Sequence, residues 1–467
     1  MAFNKKHFVS FLKQITIIYS IYKYLYSIYK YISLRKYRII ENNILLELRN
    51  LETKTSLEIC KQQESKLLEL LSYANNNCKY YNKLFDDNKI DISKIESLSN
   101  IPILTKDIIR EKSNEIISKQ FYSMSLQKRN TGGSTGEPLE FFADPKSGSI
   151  DNAHHRYLYS LMGYKKGDII VDSGGTFIPL DLRNKNIFWL KKGKNNVWGH
   201  YEFSVLYISD MNIKYYVEKL ILLKPAILRG YPSFFNKLAT FVLNNKITFN
   251  FKIKGINLTA EMCSDEQLKN IEKAFSTQVY FEYGHSEMCV YCYTKNISHI
   301  YSSSPIYGYI EIIKDDGMPA EIGEVGNVIA TGFCNYAMPF IRYQTGDKIR
   351  LLHREGGVVE FKEIHGRNQD YILSKSNQKI YLTALIFGQH LKAFRNIKQW
   401  QFIQDRIGIV KIAIIKDTNY TIDDEKEIRN KIISVSDLDL IIEYVESIPL
   451  TKRGKQLFLV QNVKGIE

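Results

Sequence analysis

The sequence predicts an α/β chain: a large N-terminal domain of parallel-rich α/β sheets with a β-rich subdomain, followed by a small α+β C-terminal domain. Three observations predict it. Short apolar strand-like runs alternate with helical stretches between residues 147 and 283. After His285 short strands follow one another. From about residue 387 helix and strand patterns mix again. With 467 residues the chain exceeds one compact core, so at least two domains are expected.

Residues 1–45 read as a basic, aromatic-rich helical segment. The first 40 residues hold no Asp or Glu, but carry Lys5, Lys6, Lys13, Lys23, Lys30, Arg35, Lys36 and Arg38 among tyrosines and isoleucines. No apolar run approaches the roughly 20 residues of a membrane-crossing helix, and no signal-peptide pattern is clear. Two readings remain: a helix lying on an anionic membrane surface, or one packed on its own domain. From Ile40 to Leu98 the leucine spacing (Leu45, Leu46, Leu48, Leu51; Leu67, Leu68, Leu70, Leu71) reads as helical. Pro102 breaks that pattern, and Thr105 is a candidate N-cap for the next helix.

Leu139–Phe142 is strand-like, and a helix carrying His154, His155 and Arg156 is expected from Ser147 to Met162. Strands are expected at Ile169–Val171, Ala226–Leu228, Ile256–Ala260 and Val279–Tyr283. Helices are expected at Met211–Leu223, after Pro232 through Leu243, and at Asp265–Phe275. The run Tyr307–Ile313 leads into the turn Lys314-Asp315-Asp316-Gly317, a hairpin signal, and Val328–Thr331 follows. The final hundred residues predict a helix at Phe387–Phe394, a strand at Ile407–Ile415, a helix at Asp423–Val435 and a strand at Ile441–Val445.

The net charge of +14 favours anionic partners. Zinc-finger spacing and an RNA-recognition signature are both missing, so nucleic acid is not expected. Six cysteines in so long a chain read as reduced thiols. Cys289 and Cys292, with Cys263 and His299 nearby, lack the second ligand pair of a zinc site and read as buried or incidental.

Five segments carry the functional reading. Thr131-Gly132-Gly133-Ser134-Thr135-Gly136-Glu137-Pro138 gathers backbone N–H groups and hydroxyls suited to one anion. It lacks the lysine of a Walker A loop. Tyr283-Gly284-His285-Ser286-Glu287, Arg342-Tyr343-Gln344-Thr345-Gly346-Asp347, Gly366-Arg367-Asn368-Gln369-Asp370 and Arg453-Gly454-Lys455 follow. In this order they resemble the core motifs of the adenylate-forming superfamily: acyl-CoA synthetases, peptide-synthetase adenylation domains and luciferase. Within it they look most like the phenylacetate-CoA ligase branch, and there like the ligase-like proteins of capsule and O-antigen biosynthesis. The resemblance runs from about Ile101 to Lys455.

The resemblance implies an ATP- and Mg²⁺-dependent ligase that joins a small carboxylic acid, an amino acid included, to AMP. The acyl group would pass to coenzyme A, a carrier thiol or an amino-sugar amine. Thr131, Gly132, Gly133, Ser134, Thr135 and Gly136 would hold phosphates. Tyr283, Gly284 and Ser286 would border the nucleotide, with Tyr283 near the adenine. Asp347 would accept from the ribose hydroxyls, supported by Arg367, and Glu287 would hold Mg²⁺. Lys455 would bridge the carboxylate and the α-phosphate. The C-terminal domain, residues 369–467, would be mobile about Asp370, with residues 46–368 binding ATP and acid. The acid would lie between the helix after the phosphate loop and the strand into the Tyr-Gly motif, near His154, His155, Tyr231, Ala260 and Glu261. The expected site of action is the cytoplasm, at the inner face of the membrane if the basic segment lies on lipid. Two alternatives stand beside this reading: an aryl-acid catabolic ligase, and a non-catalytic nucleotide-binding scaffold on the membrane. Ser374–Gln378 lacks a glycine common in acyl-CoA synthetases, which leaves the acceptor open.

Overall fold

The computed structural model describes residues 35–122, 126–130, 139–193, 196–260, 263, 265–296, 298–365, 371–382, 385, 391, 393, 396–416, 418–449 and 459–463. The helical stretch expected from Ile40 to Leu98 is three helices and a 3-10 turn: α1 (35–51), α2 (Ser56–Asn77), α3 (Lys79–Asp87) and Ile95–Asn100. Capping chemistry makes the first break. The Thr55 hydroxyl accepts from Glu58 N at 3.3 Å while Thr55 N donates to the Glu58 carboxylate at 2.8 Å. Cys78, in extended conformation, makes the second. α2 buries Leu67, Leu70, Leu71 and Ala74, the i, i+3, i+4, i+7 stripe of an amphipathic helix. Thr105 caps α4 (Lys106–Ile116) as expected, accepting from Ile108 N.

α1 crosses residue 45 without a break and is tied to its own domain. Glu41 pairs with Arg156, Glu47 with Lys66 at 3.0 Å, and Leu48 is buried. Residues 1–34 lie outside the described residues.

A short antiparallel pair, β1 (Gln127–Asn130) and β2 (Glu140–Ala143), flanks the glycine-rich run. α5 (Ser147–Leu161) follows, anchored where Lys146 N and Ser147 Oγ both bond to Asp144. The twelve-stranded sheet then begins with β3 (Ile170–Gly174), β4 (Trp189–Lys191) and β5 (Tyr201–Ser204). α6 (Ile213–Leu223), β6 (Ile227–Gly230), α7 (Pro232–Asn244), β7 (Gly255–Leu258), α8 (Asp265–Phe275) and β8 (Val279–Gly284) alternate as the sequence predicts. β5, β3, β6, β7 and β8 run parallel.

β8 is the seam. Its far side pairs antiparallel with β9 (Tyr291–Thr294), and the rest of the sheet is antiparallel: β10 (Tyr301–Ser303), β11 (Gly308–Ile313), β12 (Val325–Gly332), β13 (Tyr343–Glu355) and β14 (Val358–His365), in spatial order β11-β12-β13-β14-β10-β9-β8. The turn at Lys314–Gly317 forms, with Gly317 N donating to Lys314 O, but the connection runs on to Val325 before β12 begins. β13 and β14 were not anticipated by the strand pattern. Three strands separate β8 from β13, yet the Tyr283 hydroxyl lies 2.6 Å from Asp347, so this half of the sheet curls back on itself.

The parallel strands have two different faces. Val171, Leu228, Ile256, Leu258, Val279 and Phe281 point into an apolar core with α6, α7 and α8. Alternate positions Ile170, Ile227 and Tyr280 pack with α5. The C-terminal unit is α+β. A hairpin, β15 (Tyr371–Leu373) and β16 (Lys379–Tyr381), precedes β17 (Ile397–Arg406), β18 (Ile409–Lys416), α9 (Ile422–Val435), β19 (Asp439–Tyr444) and β20 (Leu459–Gln461). The four-stranded order is β19-β18-β17-β20, with Trp400, Phe402, Ile412, Ile428 and Ile432 in its core. Leu206 and Tyr207 of the large domain rest against that core. The helix expected at Phe387–Phe394 lies mostly outside the described residues.

Candidate active site

Asp347 is made by a distorted strand. Between Asn327 and Ile329 the β12–β13 register slips, so that Lys348 and Gln344 become the partners. Gly346 takes φ +87° in the bulge, a conformation costly for any side chain. The Thr345 hydroxyl donates to Val328 O and accepts from Asp347 N at 3.2 Å, locking the bulge. Asp347 is thereby only 1 % exposed and accepts a hydrogen bond from the Tyr283 hydroxyl at 2.6 Å.

Glu287 sits on the loop after β8, 6 % exposed. It accepts from the Tyr343 hydroxyl at 2.7 Å, and its other oxygen lies 3.8 Å from His285 Nδ1. The loop is wedged against two strands: a Cβ on Gly308 would stand 2.2 Å from the Cys289 carbonyl oxygen. Burial and the neighbouring Glu287 push the Tyr343 phenol far above its ordinary range, so it stays a donor. Arg342 completes the scaffold. It grips Glu311 with two bonds of 2.9 and 3.0 Å and the Ser99 carbonyl at 2.8 Å, while Leu104 pairs with Arg342 and Gln344.

Tyr283, Glu287 and Asp347 are thus gathered on one side of the seam, with Tyr343 joining them. The Tyr283 ring is largely buried, edge-on to His285 and Phe361. Gly284 and Ser286 are exposed beside it. Thr131, Gly132, Gly133, Ser134, Thr135, Gly136, Glu261, Arg367, Asp370 and Lys455 lie outside the described residues.

The acid-site candidates separate. His154 faces away from the parallel strands, bonded to Ile150 O at 2.8 Å and Ser304 Oγ at 2.9 Å, and burial lowers its pKa to about 4. Tyr231 is half-buried on the opposite, apolar face. Ala260 is exposed at φ +64°, a strained conformation just after β7. His155 alone spans from α5 to β8, with Nδ1 3.0 Å from Glu282.

Around that contact lies a buried row of charge the sequence reading missed. Asp172, Arg229, Asn257 and Glu282 occupy neighbouring parallel strands on the face toward α5. Arg229 bonds to Asp172 at 3.0 Å and Glu282 at 2.5 Å; Asn257 donates to Glu282 at 2.8 Å. Trp198 covers Arg229 at 4.6 Å and His155 at 4.2 Å. Burial would lower the His155 pKa, but Glu282 and Asp151 overcome it and hold it up at about 9. Burial raises Asp172 to about 7 against the pull of Arg229. The signal was available: Asp172, Arg229 and Asn257 interrupt strand runs that a buried parallel sheet should fill with apolar residues.

Cys289 and Cys292 are buried thiols whose pKa values burial drives far up. Among the described residues no helix is long and apolar enough to cross a membrane.

Comparison with known proteins bears out the resemblance. Residues 372–462 match the model of the CapK C-terminal domain. Over 418 residues the chain is 27 % identical to Protein CapK of Staphylococcus aureus, covering 87 % of this chain and 90 % of that one. Among solved structures it is similar to 2-hydroxyisobutyryl-CoA ligase. The form with 2-HIB-AMP and CoA in the thioesterification state aligns at TM-score 0.56 and 16 % identity, over 88 % of this chain and 91 % of that one. The open form with the same ligands aligns at TM-score 0.51 and 18 % identity, over 86 % and 91 %.

Proposed function

We propose that this chain, which has the fold of the adenylate-forming ligases, uses ATP to activate a small carboxylic acid as an acyl-adenylate, releasing pyrophosphate. The acyl group then passes to coenzyme A, a carrier thiol or an amino-sugar amine, in the making of a surface polysaccharide. The observation that carries this reading is the pairing of two motif carboxylates with two motif tyrosines, Asp347 with Tyr283 and Glu287 with Tyr343.

The chemistry needs little from acid–base catalysis, because a carboxylic acid is already ionised near neutral pH. The task is to hold two anions together and offset charge at phosphorus. Asp347, positioned by the Tyr283 hydroxyl at 2.6 Å, is the acceptor offered to the ribose hydroxyls. Glu287, on the loop after β8, offers carboxylate oxygen, the hard donor Mg²⁺ takes alongside phosphate and water. When bound, that ion would offset charge on phosphate oxygens. The glycine-rich run at 131–136 is assigned to the phosphates, Arg367 to the ribose side, Lys455 to the carboxylate–phosphate contact and Asp370 to a hinge. The polysaccharide role rests on the sequence resemblance, and the basic N-terminal segment would suit a membrane-linked acceptor.

The test is ATP–pyrophosphate exchange screened over acids, amino acids included. Lys455→Ala should cut exchange at least about a hundredfold, about 2.7 kcal/mol on the barrier, and spare transfer from a supplied acyl-adenylate. Equal slowing of both half-reactions would sink the alternating-domain mechanism. A folded protein inert with every acid would sink the ligase reading.

A further inference from the structure

The resemblance places the acid between α5 and β8, and the charge row lies in that space. Two features of the row are incomplete. First, three buried polar atoms have no hydrogen-bond partner among the described residues: the Tyr159 hydroxyl, Asn257 Oδ1 and Arg229 Nε. Tyr159 and Asn257 are wholly buried, so each lone group costs free energy until something pairs with it. Secondly, the charges do not balance. Among the described residues Asp151, Asp172 and Glu282 pair with Arg229 and His155, while the adjoining Glu202 is matched by Lys192 at 2.7 Å. With all three carboxylates ionised the row is one positive charge short, beside two unpartnered acceptor atoms.

An alkyl or aryl acid supplies oxygen for Arg229 Nε but neither a donor nor a positive charge, and would leave Asn257 Oδ1 unpaired. A hydroxy acid supplies a donor but no charge. An ammonium supplies both. Resting on the adenylation reading, we infer that the acid taken by this chain carries an amino group, whose ammonium is received by Asn257 Oδ1, the Tyr159 oxygen and Asp172. Arg229 Nε is left for an oxygen of the same substrate. Burial raises Asp172 to about 7, so an ammonium placed beside it would draw it into the ionised form. Trp198, 38 % exposed and lying over both Arg229 and His155, is the side chain that would have to move for the acid to enter.

The experiment compares amino acids with their des-amino counterparts, and with phenylacetate, in pyrophosphate exchange, with ATP binding followed separately by calorimetry. At least one amino acid should exceed its des-amino counterpart in kcat/KM by about tenfold or more, the worth of one charge-assisted hydrogen bond. Asn257→Leu should erase that preference. If Asn257→Leu does not fold, Tyr159→Phe removes only an unpartnered hydroxyl, and should weaken the preference without lowering the melting temperature. Phenylacetate or an alkanoate matching the best amino acid would overturn the inference and leave adenylation standing. So would a protein that binds ATP yet exchanges with no amino acid, and so would an unchanged preference in both variants. A folded protein that binds no ATP would overturn the adenylation reading, and this inference with it.

Discussion

The two sides of β8 hold their carboxylates in opposite ways. On the antiparallel side Asp347 and Glu287 each accept from a neutral tyrosine hydroxyl. On the parallel side Asp172 and Glu282 each bond to the Arg229 guanidinium, and Glu282 also meets His155. A phenol fixes a carboxylate without cancelling its charge; a guanidinium cancels it. The first arrangement sets two acceptor carboxylates beside the nucleotide motifs; the second ties α5 to the sheet, yet leaves Asn257 Oδ1 and the Tyr159 hydroxyl without a partner among the described residues. The difference teaches that pairing the charges of a buried row does not by itself satisfy its hydrogen-bonding groups.

The comparison breaks most sharply at Arg229. Arg229→Met would leave Asp172 buried without its cation and Glu282 with His155 alone, and should cost about 3–5 kcal/mol of stability in urea denaturation. A loss no larger than that of an exposed substitution would mean the row is not a coupled ionic network.

Stability against pH sharpens it next. His155 sits at about 9 against an ordinary 6.5, so its protonated form favours the fold. Its contribution is full below about pH 6.5 and is lost as pH rises through 9, about 3 kcal/mol in all. Asp172, raised from 3.8 to about 7, loses stabilisation in the same direction at lower pH. Melting followed from pH 6 to 9.5 should show this fall, and His155→Gln should flatten it above pH 7. A wild-type stability that rises over that range would contradict the ionic row.

The smallest effects belong to the antiparallel side. Asp347→Ala should weaken ATP binding by about 1–3 kcal/mol, and Tyr283→Phe by about 1 kcal/mol, because the phenol only positions the acceptor. Calorimetry separates them. Equal losses would assign Tyr283 a direct contact with the nucleotide.

Much of this architecture was legible in the sequence. The alternation from Ser147 to Tyr283 gave β3, β6, β7 and β8 with their helices, because each strand is a short apolar run between turn residues. Thr105 was readable as a cap for the same local reason. β13 was not, because Gly346 and Asp347 look like a turn when their neighbours in β12 are unknown. β17 was hidden by polar alternation in Gln399, Gln401 and Gln404, two of which are buried by contacts distant in sequence. At the candidate site, the motifs name Asp347 and Glu287 but not which tyrosine meets which: Tyr283 reaches Asp347 and Tyr343 reaches Glu287 across the sheet. The charge row escaped because Asp172, Arg229 and Glu282 are separated by more than fifty residues at each step. Only the parallel register brings Asp172 beside Arg229, and Arg229 beside Asn257.

The seam strand also sets what kinds of sequence change this protein tolerates. Glu282 and Tyr283 are adjacent in the chain but serve opposite sides of β8. Losing or gaining one residue within Val279–Gly284 would exchange their directions, unseating the charge row and the Asp347 contact in a single event. A length change in the connection between Gly317 and Val325 touches neither. Variation in length among descendants of this chain should therefore collect in that connection and spare β8.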